Sequence, residues 1–326
     1  MLVVALPTTA GWRGAVPALA AAIERAGASV AVAAAAPVRE VRTFVLTDLV
    51  QAHAARTAAL AGIAAHRPRA LVYASATAGL LGPRPGAIWF DSPAAENRPG
   101  RHGLWQRPLE RRRVARAPLL LPMSEGGLAG LDPRPAAPEV VLPVPVEPSG
   151  PPEPAAGATR DVAALAYAAD AEKKGLARIL AAWASARRPD ETLLVAGQPA
   201  GPLGEGAEGT GLLAPDAYRA LLRRARVFVA APRHEDFGIA QLEALADGCR
   251  LVSAPAGGPY PALALARALD PRLVSDDLPT AIRTALDASP DDYAERAAAL
   301  LAPYRRAAFD ATVSERVLPA LLAERA

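Results

Sequence analysis

Two carboxylates eight residues apart, Glu235 and Glu243, lie in the segment of the chain richest in chemistry, residues 230–261. The segment runs as an apolar stretch, a polar loop, a helical stretch, a second apolar stretch and a loop opened by Gly257-Gly258. Glu235 falls in the polar loop beside His234 and Asp236, and Phe237-Gly238-Ile239 open the helix. A helix start offers free N–H groups and the positive end of the dipole, which together make an anion site. Gly238 has no side chain to hold a ligand away from the backbone. Glu243, farther along the helix, suits the two vicinal hydroxyls of a ribose, and Glu235 suits a sugar or a reacting centre. Spacing alone serves a structural reading as well: Glu235 and Asp236 as partners of the helix dipole, Glu243 as a solvated helix residue.

The second chemical feature is a pair of cations. Of 36 basic residues, 34 are Arg, and the two lysines are adjacent, Lys173 and Lys174. An ammonium group is compact and is not copied by a guanidinium. Gly175 follows and opens a helix, where cations are disfavoured unless an anion is near.

The elements that must carry these residues alternate in type. Strands are expected over 2–6, 30–34, 71–74, 87–90 and 119–122, with helices over 16–26 and 48–65, the latter capped by Thr47 or Asp48. A Pro-rich stretch, 141–157, reads as an extended linker and a domain boundary. The pattern restarts with strands at 162–167, 192–196, 227–231 and 251–254, and helices at 176–186, 215–224 and 239–246. Residues 291–326 read as two helices broken near 309–312. This order gives an α/β protein of two doubly wound Rossmann-like domains, 1–147 and 148–311, with the last helix, 312–326, packing back on the first. Ligands in such sheets bind beyond the carboxyl ends of the strands, and the default site is the cleft between the domains.

Composition narrows the class. The 326 residues are 52% hydrophobic and 21% charged, which excludes a disordered chain. A net charge of +3 does not imply a polyanion partner. The lone Cys249 excludes an intrachain disulfide and a multi-thiolate zinc site and reads as a buried thiol. His53, His66, His102 and His234 have no metal spacing. No apolar run approaches the ~18 residues of a membrane span, and a cytoplasmic location is expected.

The ordered set Glu235, Phe237, Gly238, Glu243, Gly248 and Gly257-Gly258 resembles the signature of family-4 retaining glycosyltransferases with the GT-B fold. The likeness extends to Lys174-Gly175, which fits the Lys-Gly that holds the donor diphosphate in that family, with Lys173 beside it. The family's Arg, about five residues earlier, falls near Ala169 or Asp170, and no Arg stands there. In the first domain the likeness is looser. Gly11, with Gly14 nearby, stands for the family's Gly-Gly loop, and Asp91-Ser92 follows a strand where many members carry a His that meets the sugar. Residues 119–124 resemble the family's strand ending in Ser, and 140–146 the crossing to the second domain. The resemblance implies transfer of a hexose from a nucleotide-sugar to an acceptor with retention; no paired-Asp motif stands beside a strand, so no divalent metal is expected, and no cofactor beyond the donor. It implies Glu235 and Lys174 as catalytic residues, Lys173, Gly11, Phe237, Gly238, Ile239 and Glu243 as donor-binding residues, and Asp91 and His234 on the acceptor and sugar side.

Residues 98–116 hold seven arginines, with Glu96 and Glu110 the nearby acids. They suit an anionic acceptor, a membrane surface or RNA, or simply a solvated helix with Trp105 as packing. Two other functions remain open: a degenerate, non-catalytic sugar-nucleotide binding or scaffold protein, consistent with the missing Arg and His, and a glycosyltransferase with an RNA acceptor.

Overall fold

The computed structural model describes residues 1–6, 10–38, 44–98, 100–150, 160–288 and 292–323. The chain forms two compact units, Met1–Pro145 with Tyr304–Ala326, and Val146–Pro303.

Unit 1 is built on a five-stranded parallel sheet in the order β2-β1-β3-β4-β5. Its strands are β1 (Leu2–Ala5), β2 (Ala31–Ala34), β3 (Leu71–Ala74), β4 (Ala87–Phe90) and β5 (Leu120–Pro122). Strands β1, β3 and β4 are buried at every residue, because helices cover both faces and each strand must then be apolar throughout. The helices are α1 (Ala10–Arg25), α2 (Phe44–His66), α3 (Ala76–Leu80), α4 (Ala94–Asn97), α5 (Gln106–Val114) and α6 (Glu125–Ala129). One core cluster joins Leu2, Val4, Leu71 and Tyr73 of the sheet to Ala55 and Ala59 of α2. A second joins Ile88, Phe90 and Leu120 to Val114 of α5.

Helix α2 begins at Phe44, ahead of the expected cap at Thr47 or Asp48. Asp48 is buried in it, held by Arg98 at 2.6 and 3.0 Å and by Gln106 at 2.9 Å. A long-range ion pair, not a capping bond, explains this aspartate. Of the expected linker, residues 151–157 lie outside the described residues.

Unit 2 carries a six-stranded sheet in the order β11-β10-β6-β7-β9-β8. Its strands are β6 (Val162–Tyr167), β7 (Leu193–Ala196), β8 (Gly201–Gly204), β9 (Ala207–Gly209), β10 (Ala225–Ala230) and β11 (Arg250–Ser253). All neighbours are parallel except β8 and β9, an antiparallel hairpin at the edge. The helices are α7 (Leu176–Ala186), α8 (Pro215–Arg224), α9 (Ile239–Ala246), α10 (Pro261–Leu269), α11 (Leu278–Leu286) and α12 (Tyr293–Leu300). From β6 the chain winds outward to β7 and later returns on the other side to β10. The switch of direction therefore falls between β6 and β10, where a doubly wound sheet opens a crevice.

The chain then rejoins unit 1. Helix α12 gives way to a 3-10 turn, Ala302–Tyr304, that contains Pro303, and Arg305 is extended. The break thus lies at residues 301–305. Residues 309–312, the expected break, are inside α13 (Arg306–Thr312), which continues through a π turn, Val313–Val317, into α14 (Leu318–Leu322). Phe309 is buried beside Trp89, ring centres 6.1 Å apart, and Arg25 of α1 pairs with Asp310 at 2.6 Å.

Candidate active site

Two loops meet at the switch point of unit 2. One follows β6 and carries Glu172, Lys173 and Lys174; the other follows β10 and carries Arg233, His234, Glu235 and Asp236. Their strands are direct neighbours in the sheet, so residues about 60 apart in sequence come face to face.

Gly175 sets the contact. It caps α7 with φ +67°, in the left-handed region. A Cβ there would stand 2.0 Å from the carbonyl oxygen of Ala231, at the end of β10. The absent side chain lets the first loop press on the second, and Lys174 is delivered across the gap.

Three ion pairs bridge the loops in order of depth. Glu172 and Arg233, both exposed, lie 3.6 Å apart. Lys173 Nζ lies 3.9 Å from Asp236 Oδ2. Lys174 Nζ donates to Glu235 Oε2 at 2.5 Å, and these two side chains are 19% and 8% exposed. The last pair is the significant one, because only there is water largely excluded and the Coulomb attraction lightly screened. The anions that justify two lysines at a helix start are thus Glu235 and Asp236. Gln241 of α9 also reaches Glu235 Oε2, at 3.4 Å. His234 Nε2 lies 3.1 Å from Asp236 Oδ1.

Beyond Glu235 the chain enters α9 through Gly238, with φ +83°. A Cβ on Gly238 would sit 2.7 Å from the Tyr260 ring, so the glycine admits both the turn and the neighbour. Phe237 is buried and secures the loop by packing, and the first turn of α9 leaves backbone N–H groups without partners inside the helix. The loop at Gly257-Gly258 is fastened to the same place, Glu235 N donating to Gly257 O at 3.1 Å. Tyr167, Lys174, Ala231, Ala240 and Gln241 line a small cavity beneath.

The position where the family Arg is missing has a structural occupant. Asp170 Oδ1 accepts from Lys173 N at 2.9 Å, and Asp170 O accepts from Lys174 N at 3.0 Å. Asp170 shapes the turn that presents both lysines.

Glu243 lies on α9 and pairs with Arg219 of α8, Oε1 to Nη1 3.4 Å. Burial pushes its carboxyl up, the Arg219 charge pulls it down and the Asp247 charge pushes it up again. Arg219 also binds Asp247, 2.7 Å, and the Glu147 carbonyl, 2.6 Å. Arg219, Asp247 and Gln241 escape sequence reasoning. The one available signal was the four-residue spacing of Glu243 and Asp247, which puts two acids on one helix face.

Two sequence-expected site residues belong to unit 1. Gly11 falls in the first turn of α1, not in a loop. Asp91 follows β4 and turns back on its own chain, Oδ1 accepting from Ser92 N at 2.9 Å. Next to that loop, Glu110 of α5 accepts from Ala94 N with both oxygens, 2.9 and 3.0 Å. Burial outweighs this bond and the Arg98 and Arg111 charges, and raises its pKa from 4.5 to about 7. The raised pKa means that the folded state holds the proton more tightly. Glu110 therefore contributes stability that is full below about pH 4.5 and lost as pH rises through about 7, by up to about 3 kcal/mol. Glu110→Gln should flatten the pH dependence of Tm across that window, measured by circular dichroism; an unchanged slope would refute the assignment.

Of the arginines in 98–116, Arg98 binds Asp48, Arg107 binds the Gly100 and Gly103 carbonyls, and Arg113 binds the Leu80 carbonyl. Arg101, Arg111, Arg112 and Arg116 are exposed. Cys249 is fully buried against the Leu222 carbonyl at 3.1 Å, and burial pushes its thiol up to about 12, which removes it as a nucleophile. Among the described residues, no three His, Cys, Asp or Glu side chains are grouped to hold a metal ion, and no helix is long and apolar enough to cross a membrane.

Residues 161–302, nearly all of unit 2, match the family model described as glycosyl transferases group 1. No curated protein matches the chain in sequence. Solved structures match over almost the whole length. A sucrose-phosphate synthase from Thermosynechococcus elongatus is 18% identical, with 95% of each chain covered and a TM-score of 0.67. WaaG, a glycosyltransferase involved in lipopolysaccharide biosynthesis, is 15% identical, with 99% of each covered and a TM-score of 0.67. Anabaena HepE, solved in complex with UDP, is 14% identical, with 97% of this chain and 99% of that chain covered and a TM-score of 0.67. The fold is GT-B, as the resemblance read from the sequence implies, and residues 161–302 are where the chain is similar to the group 1 glycosyl transferases.

Proposed function

We propose that this protein transfers a hexose from a nucleoside diphosphate sugar to an acceptor with retention at the anomeric carbon. The observation that carries the reading is the Lys174–Glu235 pair, 2.5 Å and largely buried, beside the opening of α9. An ammonium and a row of free N–H groups converge where a diphosphate would leave, and a carboxylate stands beside them where positive charge would develop on the sugar.

In this reading Lys174, Lys173 and the N–H groups at Ile239 and Ala240 bind the diphosphate. Each well-placed donor is worth roughly 3–4 kcal/mol to a transition state in which phosphate charge grows. The bond from the anomeric carbon to the diphosphate oxygen breaks. The acceptor oxygen attacks on the same face, and its proton passes to the departing phosphate oxygen. Glu235 orients the hexose hydroxyls and favours the positive anomeric centre, with His234 at its side. Glu243 holds the ribose. Charge compensation is assigned to these groups, with no metal or cofactor. Unit 1, with Asp91, is assigned the acceptor, and the exposed Arg101, Arg111, Arg112 and Arg116 favour an anionic one. Since HepE was solved with UDP, uridine donors come first in the test.

A non-catalytic sugar-nucleotide binder is favoured by one observation, the absence of an Arg near Ala169 or Asp170. The two readings part on a simple assay. A panel of UDP-, ADP- and GDP-sugars is incubated with the protein, and nucleoside diphosphate release is followed by mass spectrometry. Slow hydrolysis of one donor without acceptor is expected. Calorimetric binding with no release from any donor, alone or with an acceptor library, would favour the binder instead.

A further inference from the structure

The ribose-facing carboxylate is not left to itself. Arg219 is tied at two points that have nothing to do with a ligand: Nε to Asp247 Oδ2 at 2.7 Å, and Nη2 to the Glu147 carbonyl at 2.6 Å. Asp247 is anchored in turn. Its side chain is 1% exposed and accepts from Ser149 N at 2.7 Å and from Ser149 Oγ at 2.9 Å. A guanidinium is planar and its donors form a rigid fork. Fixing Nε and Nη2 therefore fixes Nη1, which stands 3.4 Å from Glu243 Oε1.

We propose that Arg219, set in place by Asp247, is a positioning residue that turns the Glu243 carboxylate so that Oε1 is engaged from behind and Oε2 is presented to the ribose diol. The proposal rests on the reading of unit 2 as a nucleotide-sugar site, and it adds a residue that touches no substrate. Arg219 also opposes the burial that favours the protonated form of Glu243. A protonated carboxyl is a poorer acceptor for two hydroxyls. Without Arg219 the carboxyl would lose both its orientation and part of its charge.

A purely structural role for Arg219, tying residues 147–149 to α8 and α9, predicts something different. Its loss would weaken all ligands alike. The discriminating quantity is the preference for ribose over a sugar without hydroxyls. Calorimetry on the full chain first identifies which of UDP, ADP and GDP binds most tightly. The 2′,3′-dideoxy form of that same nucleotide is then measured. The wild type should prefer the ribonucleotide. Arg219→Ala should lose about tenfold in affinity for it, the worth of one charge-assisted hydrogen bond. Affinity for the dideoxynucleotide should be unchanged. Arg219→Lys keeps the charge without the fork and should recover part of the preference; it also serves if the alanine variant fails to fold. If these variants bind and keep the wild-type preference, the proposal is overturned while the site reading survives. A wild type that binds but does not prefer ribose also overturns it. A wild type that binds none of the three nucleotides removes the site reading and the proposal together.

Discussion

A Lys174→Ala variant should fold, yet turn over its donor about 10²- to 10³-fold more slowly than the wild type, the usual effect of deleting one charge-stabilising group from a transition state. The geometry explains why the loss should fall on turnover. Lys174 Nζ is already placed 2.5 Å from Glu235 Oε2, so its position is fixed before any donor arrives. The preorganised charge therefore acts most strongly when the diphosphate is fully charged, at departure. Removing the lysine also leaves Glu235, 8% exposed at its side chain, with Gln241 at 3.4 Å as its remaining side-chain partner. Stability should drop by about 1–3 kcal/mol, less than the full cost of splitting a buried pair, because water reaches Lys174. Glu235→Gln provides the contrast. It keeps the shape and the hydrogen-bonding reach but removes the negative charge. Its kcat should fall as steeply, while affinity for the nucleoside diphosphate alone should hold or rise, because Lys174 is released from its partner. Initial rates over a range of donor concentrations, with calorimetry for the diphosphate, separate these effects. Normal turnover by either variant would end the assignment of both residues.

The reach of the sequence had a physical limit. Strands β3, β4 and β6 and helices α7, α8 and α9 stand where the apolar runs and their glycine or proline punctuation put them. Strands buried on both faces must be continuous apolar runs, and such runs are visible without any knowledge of neighbours. The β8–β9 hairpin was not visible. Its residues, Gly201–Gly204 and Ala207–Gly209, have little strand propensity, and the sheet edge imposes the conformation. The short helices α3, α4 and α6 offer too few turns for a period to show. At the site, Glu235, Lys174 and Gly238 were legible as types in an order. Their pairing was not, since it depends on β6 and β10 being neighbours. Arg219 was invisible for the same reason: its partners are at 147, 243 and 247, and a single Arg among 34 carries no mark of its own. Asp48 shows the converse error. A residue with the chemistry of a cap was recruited by Arg98, fifty positions away.

Gly175→Ala tests the contact on which that pairing depends. Two independent costs apply. The φ of +67° puts an L-residue in the left-handed region, a penalty of about 1 kcal/mol. The new Cβ would also stand 2.0 Å from the Ala231 oxygen, a backbone atom at the end of β10 that cannot swing aside as a side chain would. One loop must lift from the other. Together these should cost about 3 kcal/mol, or roughly 6–12 °C in the Tm of a unit of this size. Lifting the loop also draws Lys174 away from Glu235, so activity should fall toward that of Lys174→Ala even at temperatures where the variant is folded. Gly257→Ala, in the loop that follows β11, is the control. Its backbone is outside the left-handed region, and its nearest neighbour would be His234 Nδ1 at 3.7 Å, an ordinary contact. It should leave Tm within about 1 kcal/mol equivalent of the wild type. Calorimetric melts of the two variants, with donor turnover measured well below both transitions, decide the matter. If Gly175→Ala were as stable and active as Gly257→Ala, the close approach of the two loops would not be what delivers the lysine.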